Sequence, residues 1–147
     1  SSDVCSSDLP DPSNYSLGKL YSLNFYATIQ KLLNQDAVVV IQTTSPYFAP
    51  KSFWCINKTV MQVFPQIDAY HAYVPSFGEW GFTIAINGFG TTFNTVNRKV
   101  DALRFYNYQF DKFNYFSQDM ISKDIEINRL DNQILVRYFD EEWGKLQ

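Results

Sequence analysis

The sequence predicts an α/β protein on a mostly parallel sheet, the second half of a doubly wound arrangement with a hairpin at its edge. Three observations carry this. Ala37-Val38-Val39-Val40-Ile41 is a continuous, largely β-branched run, the composition of a strand buried on both faces under helices. Helical periods flank it: Tyr21, Phe25, Ile29 and Leu32 before, then Phe53, Ile56, Val60 and Phe64 after. Two later strand-like segments are joined by Pro75-Ser76-Phe77-Gly78-Glu79, a connection short enough for an antiparallel hairpin.

Taken in order, residues 10–16 read as a loop, with Pro10 and Pro12 on either side of Asp11. A helix is expected from Leu20 until Asn34-Gln35-Asp36 ends it. The apolar strand follows, then the turn Thr43-Thr44-Ser45-Pro46. Ala49-Pro50 opens the second helix, with proline at the first position, where its missing N–H costs nothing. Residues 67–74 and 80–86 are the strands of the hairpin. Beyond Asn87 the pattern weakens. A helix is expected over residues 93–105 and an irregular aromatic stretch over 110–120. A terminal helix is expected over 130–143, with Ile134, Leu135, Tyr138 and Phe139 inward. Class I methyltransferase-like domains, which are Rossmann-like, end with this order of elements.

Composition narrows the function classes. The 147 residues suit one domain. The 13 Phe, 10 Tyr and 3 Trp suggest a well-filled core and aromatic walls around a pocket. A net charge of −3 argues against nucleic acid as partner. The longest apolar run, residues 37–41, is too short to span a bilayer, and no signal peptide is visible. Cys5 and Cys55 make no disulfide framework, and Cys55 reads as a buried, inert thiol. The single histidine, His71, lies in a strand away from clustered Cys or acids, so packing is expected there and no metal. Ser45-Pro46 lacks the glycines of a nucleophile elbow. Glu141-Glu142 reads as a solvated helix face.

The first nine residues stand apart. Ser1-Ser2-Asp3-Val4-Cys5-Ser6-Ser7-Asp8-Leu9 can be written AGT TCA GAC GTG TGC TCT TCC GAT CT, a common sequencing-adapter sequence read in frame. Residues 1–9 are therefore expected to be adapter-derived and are set aside from fold reasoning, and the protein is expected to begin upstream of what they replace.

Several short stretches, weak singly, become specific in their order. They are Asp8-Leu9-Pro10-Asp11-Pro12, Leu20-Tyr21-Ser22, Phe25-Tyr26, Gln42-Thr43-Thr44-Ser45-Pro46, Phe53-Trp54 and Val74-Pro75-Ser76-Phe77-Gly78-Glu79-Trp80-Gly81-Phe82. Two more lie in the tail, Glu126-Ile127-Asn128-Arg129-Leu130 and Tyr138-Phe139-Asp140-Glu141-Glu142-Trp143. Together they resemble the polyamine aminopropyltransferases, the spermidine synthase family, and in particular the bacterial branch whose catalytic domain follows a bundle of membrane helices.

The resemblance implies that residues 10–147 are the C-terminal part of a spermidine synthase-like catalytic domain. It also implies aminopropyl transfer from decarboxylated S-adenosylmethionine to a diamine such as putrescine, giving spermidine and methylthioadenosine. Decarboxylated S-adenosylmethionine is then a cosubstrate, with no further cofactor and no metal. Its glycine-rich loop and ribose-gripping acid are expected upstream, so this stretch alone is expected to be inactive. Upstream membrane helices, a place at the cytoplasmic face of the bacterial inner membrane and a homo-oligomer are implied for the full-length protein.

The reaction is a displacement at a carbon beside a sulfonium, so the protein must align a neutral amine with that carbon. A diamine is doubly protonated at neutral pH. One ammonium must lose its proton while the other is held, and carboxylates suit both tasks. In the family the first Asp of D-x-x-D-P accepts the proton; Asp8 occupies that position, and Asp11 matches the second acid, which binds the amine. Gln42 stands where the family has a glutamine facing the amine pocket. Tyr21 lies near the loop that closes over the pocket, although its spacing equally suits helix core. Phe77 stands where soluble members carry a tyrosine, and Trp80 is expected to cover the aliphatic chain. Tyr15 replaces a proline found in soluble relatives. Two other readings stay open: a methyltransferase-like enzyme with another acceptor, and a non-catalytic polyamine-binding or scaffold domain of a membrane protein.

Overall fold

The computed structural model describes residues 4–90, 116–117, 120–122 and 124–146. The expected helix over 93–105 and most of the aromatic stretch over 110–120 lie outside the described residues. The elements are β1 (Val4–Ser7), α1 (Tyr15–Gly18), a 3₁₀ turn (Lys19–Tyr21), α2 (Leu23–Leu32), β2 (Val38–Gln42), α3 (Pro50–Met61), β3 (Gln66–Val74), β4 (Gly78–Ile86), α4 (Ile134–Trp143) and a closing 3₁₀ turn (Gly144–Leu146).

The described sheet has the order β1-β2-β4-β3. β1 runs parallel to β2, with Val4 opposite Val38 and Ser7 opposite Ile41. β4 is antiparallel to both β2 and β3. Three of the four strands therefore point one way, as expected of an α/β sheet ending in a hairpin. The reversed strand, β4, lies inside and β3 forms the edge. Residues 4–7, set aside in the sequence reading, pair with β2 as a strand of this sheet.

The core lies on one face of the sheet. Val39, Ile41 and Ala85 project from β2 and β4 and are met by Cys55, Ile56 and Val60 of α3. Tyr21, Tyr26, Phe64, Ile134 and Leu135 complete it. β2 buries only alternate residues, since Val38 and Val40 are half-exposed. The described elements thus cover one face of that strand, where its composition suits cover on both. Burial pushes the Cys55 thiol up to about 12, in keeping with an unreactive core residue.

Two local signals place the helices differently from the periodicity. Ser22 breaks the first helix, and its hydroxyl accepts from Phe25 N at 3.3 Å as the cap of α2. The α2 face is rotated accordingly: Tyr26 is fully buried and Leu32 is 81% exposed, reversing the expected inward Leu32. The terminal helix begins at Ile134 instead of residue 130. The Asn132 side chain accepts from both Arg129 N and Ile134 N, closing a turn there, and Leu130 is exposed.

α3 begins after Ala49, whose side chain cannot cap a helix, and the cap comes from α4. Glu142 Oε1 accepts from Lys51 N at 2.7 Å. Its Oε2 accepts from Ser52 N at 3.0 Å and from Ser52 Oγ at 2.7 Å. A carboxylate at a helix N-terminus satisfies orphan N–H groups and meets the positive end of the dipole. Glu142 is therefore a cross-element cap and not a solvated residue. Glu141 remains at the surface, 3.0 Å from Lys51 Nζ.

Candidate active site

β1, β2 and β3 end at the same edge of the sheet, where β4 begins. Asp8 directly follows β1, Gln42 ends β2, Phe77 lies in the turn between β3 and β4, and Trp80 enters on β4. A cavity of about 780 Å³ opens at this edge, lined by Asp8, Leu9, Pro10, Asp11, Gln42, Phe48, Phe77, Trp80 and Trp143. A smaller one of about 340 Å³ shares Asp8, Gln42, Phe77 and Trp80. The carboxyl edge of an α/β sheet is where such folds bind ligands.

Gln42 ties the walls together. With its amide oxygen toward the indole, it accepts from Trp80 Nε1 at 2.7 Å. Its amide nitrogen then donates to Leu9 O at 2.9 Å and reaches Asp8 Oδ1 at 3.3 Å. One side chain thus fixes the indole and the start of the acidic loop.

The two acids sit differently. Asp8 is exposed to the cavity mouth. Asp11 is half-buried, and its Oδ1 has no hydrogen-bond partner among the described residues. Burial raises its carboxyl above the ordinary carboxylate range. A carboxylate in the wall of such a cavity is a favourable seat for an ammonium, which would supply the balancing charge.

Of the residues singled out in the sequence, Asp8, Asp11, Gln42, Phe77 and Trp80 converge on this cavity, and Tyr21 does not line it. Tyr21 is buried behind the acidic loop, its hydroxyl shared between Leu9 O and Pro10 O at 3.1 Å each. Burial, then the charges of Asp11 and Asp8, raise its pKa, so it remains a donor at any ordinary pH. Tyr21 therefore shapes the loop from below.

Two lining residues were not read from the sequence, Phe48 and Trp143. Phe48 belongs to the loop after β2, and the rule that strand-end loops line the site would have found it. Trp143 lies one turn beyond Phe139, so extending the helical period of the terminal segment would have placed it inward.

Nearby polar residues have structural partners. Ser45 Oγ donates to Glu79 O at 2.8 Å. His71 Nδ1 pairs with Glu79 Oε2 at 2.8 Å, and its ring packs on Tyr47 and Phe116. None of Ser45, His71 or Glu79 lines the cavity.

The family model described as spermine/spermidine synthase domain matches residues 1–99. A polyamine aminopropyltransferase of Leptospira interrogans is 45% identical over 148 aligned positions, covering 98% of this chain and 28% of that protein. Polyamine aminopropyltransferase 2 of Ralstonia nicotianae is 46% identical, covering 96% of this chain and 28% of that protein. A crystal structure of spermidine synthase from Thermotoga maritima shows 16% identity and a TM-score of 0.45 over 86% of this chain and 39% of that one. The chain spans about 28% of the length of the two aminopropyltransferases. The family match takes in residues 1–9 and runs through the hairpin whose end forms the cavity wall. On that match, the chain belongs to the spermine/spermidine synthase domain family.

Proposed function

We propose that this chain is the acceptor half of an aminopropyltransferase active site. It works within a longer protein that transfers the aminopropyl group of decarboxylated S-adenosylmethionine to a diamine. The single observation that carries the reading is the convergence of Asp8, Asp11, Gln42, Phe77 and Trp80 on one cavity. The chemistry then divides among them. Asp11 holds one ammonium of the diamine. Asp8 takes the proton from the other, whose nitrogen lone pair attacks the carbon beside the sulfonium. The carbon–sulfur bond breaks, its electron pair returns to sulfur, and methylthioadenosine leaves. Trp80, held by Gln42, covers the methylene chain.

The test is steady-state kinetics of the full-length enzyme with putrescine. Asp8→Asn is expected to lower kcat by about 10²-fold or more, the usual share of a positioned general base. Asp11→Asn is expected to raise the putrescine KM about 10- to 100-fold, as loss of a charge-assisted contact would. Full activity in both variants would rule the assignment out. The isolated stretch of residues 1–147 is expected to release no methylthioadenosine, because the cosubstrate-binding elements lie upstream on this reading.

The same reading gives the full-length protein upstream membrane helices, a position at the cytoplasmic face of the inner membrane and a homo-oligomeric state. Membrane fractionation and light scattering of that protein test these. The adapter origin of residues 1–9 belongs to the proposal too, and the catalytic role falls to the acid that the family pattern places at position 8, whatever the origin of that codon. Sequencing the source DNA upstream of the Pro10 codon decides it, and shows which residue is native at position 8.

A further inference from the structure

Phe48 reaches the cavity from the loop after β2, and Phe77 and Trp80 reach it from the hairpin. Phe48 is 54% exposed, so packing alone holds its ring weakly. Ser45, which is fully buried, joins its loop to the hairpin. Ser45 Oγ donates to Glu79 O at 2.8 Å and accepts from Phe48 N at 3.4 Å. The Glu79 carbonyl belongs to the same planar peptide unit as Trp80 N. One hydroxyl therefore holds the main chain at two lining residues, Phe48 and Trp80.

The indole of Trp80 is held separately, by the amide oxygen of Gln42 at 2.7 Å. Gln42 and Ser45 thus fix the side chain and the peptide of the same residue from one four-residue stretch. Between them the backbone is strained. Thr44 has a φ of 61°, in the left-handed region that a β-branched residue rarely adopts. Such a conformation persists only where surrounding bonds over-determine it, and it gathers at functional sites. Here Thr43 N donates to Gly81 O at 2.9 Å, and Gly81 N donates to Thr44 O at 2.8 Å. A side chain at position 81 would strike Phe53 and the Thr44 carbonyl, so only glycine lets β4 approach this turn.

We infer that Ser45 is a positioning residue of the acceptor site, holding the Phe48 loop and the Trp80 peptide in one arrangement before the diamine arrives. The inference rests on the proposed function and deepens it. Ser45 does not line the cavity, so its effect passes through Phe48 and Trp80. Without the hydroxyl, Phe48 N and Glu79 O lose their shared partner, and the diamine must order the two segments as it binds. That cost falls on binding. Proton transfer at Asp8 does not depend on it, so kcat is spared.

The experiment measures steady-state kinetics of the full-length enzyme with putrescine, alongside thermal melts of the same variants. Ser45→Ala is expected to raise KM roughly 3- to 10-fold, the worth of one neutral hydrogen bond. Its kcat should change less than about twofold. Ser45→Cys keeps the volume and a weak donor, so it should raise KM less. Should Ser45→Ala fail to fold, a wild-type KM in Ser45→Cys overturns the inference. Ile56→Val is the control for stability, a core substitution away from the cavity. It should lower the melting temperature and leave KM unchanged. An equal rise in KM for Ile56→Val and Ser45→Ala would trace the effect to general loss of stability and overturn the inference. Asp11→Asn serves as the reference for the site. If it raises KM while Ser45→Ala keeps the wild-type value, the inference is overturned and the site assignment stands. If Asp8→Asn and Asp11→Asn both leave the kinetics unchanged, the site assignment fails and takes the inference with it.

Discussion

Tyr26 is fully buried, and its hydroxyl has no partner among the described residues. Burial raises its pKa far above the ordinary phenol value, so the group is a neutral hydroxyl that has lost its water. Leaving a buried polar group unpaired costs about 1–3 kcal/mol, whereas its ring still fills core space. Tyr26→Phe is therefore expected to raise stability by roughly 1 kcal/mol in chemical denaturation. A lower midpoint would show that the hydroxyl has a partner. Asp11 makes the opposite compromise, since its burial serves a charge. Its folded carboxyl is raised, so the folded chain holds a proton that the unfolded chain has released. Stability contributed by this group is then complete below the unfolded value, near about 4, and is lost as pH climbs through the folded value. Asp11→Asn removes the loss. Its melting temperature should match the wild type in acid and exceed it at neutral pH, with the gap opening across that window. A gap of constant size at every pH would mean that the carboxylate is not desolvated.

α3 shows how a helix with a poor local start is completed from elsewhere. Ala49 offers no cap, and Glu142 supplies one from a residue 90 positions away. Glu142→Ala should cost about 1–2 kcal/mol, the range for losing an N-cap and leaving donors unpaired. Glu141→Ala should be nearly silent, because its pairing with Lys51 is solvent-exposed. Equal effects of the two substitutions in denaturant titrations would refute the capping role. The same helices mark where the sequence was legible. The β2 strand, the proline-started α3 and the hairpin were readable because each is announced within its own few residues. Asp8, Asp11, Gln42, Phe77 and Trp80 were singled out through the family resemblance, and strand ends and turns at one sheet edge bring them to one cavity. Glu142 and Trp143 were not, because helical periodicity says which side is inward and nothing about what waits there. The break at Ser22 was missed for a related reason: the apolar spacing runs through the capping serine, and the cap decides where the helix starts. Insertion of β4 between β2 and β3 was likewise invisible, since element order alone does not fix strand order.

The core is assembled from distant parts of the chain, with Tyr21 and Tyr26 near the start and Ile134 and Leu135 near the end. Gly18 makes the closure possible. A side chain there would strike Val136, so only glycine lets α1 meet α4 this closely. Asn128 adds a polar lock, donating to Gly18 O at 2.9 Å and accepting from Leu135 N at 3.3 Å. α4 buries Ile134, Leu135, Val136 and Phe139. Each such side chain contributes about 1.5–3 kcal/mol, so together they are worth on the order of 6–12 kcal/mol. That is comparable to the whole stability of an ordinary domain, about 5–15 kcal/mol. Truncation after Asn132 is therefore expected to abolish the cooperative melt by circular dichroism and to leave a species that binds hydrophobic dyes. Trp143→Leu keeps all four of those residues and should still melt cooperatively, a few degrees lower at most. A truncated chain that melts cooperatively would mean that α4 is an appendage to a core complete without it.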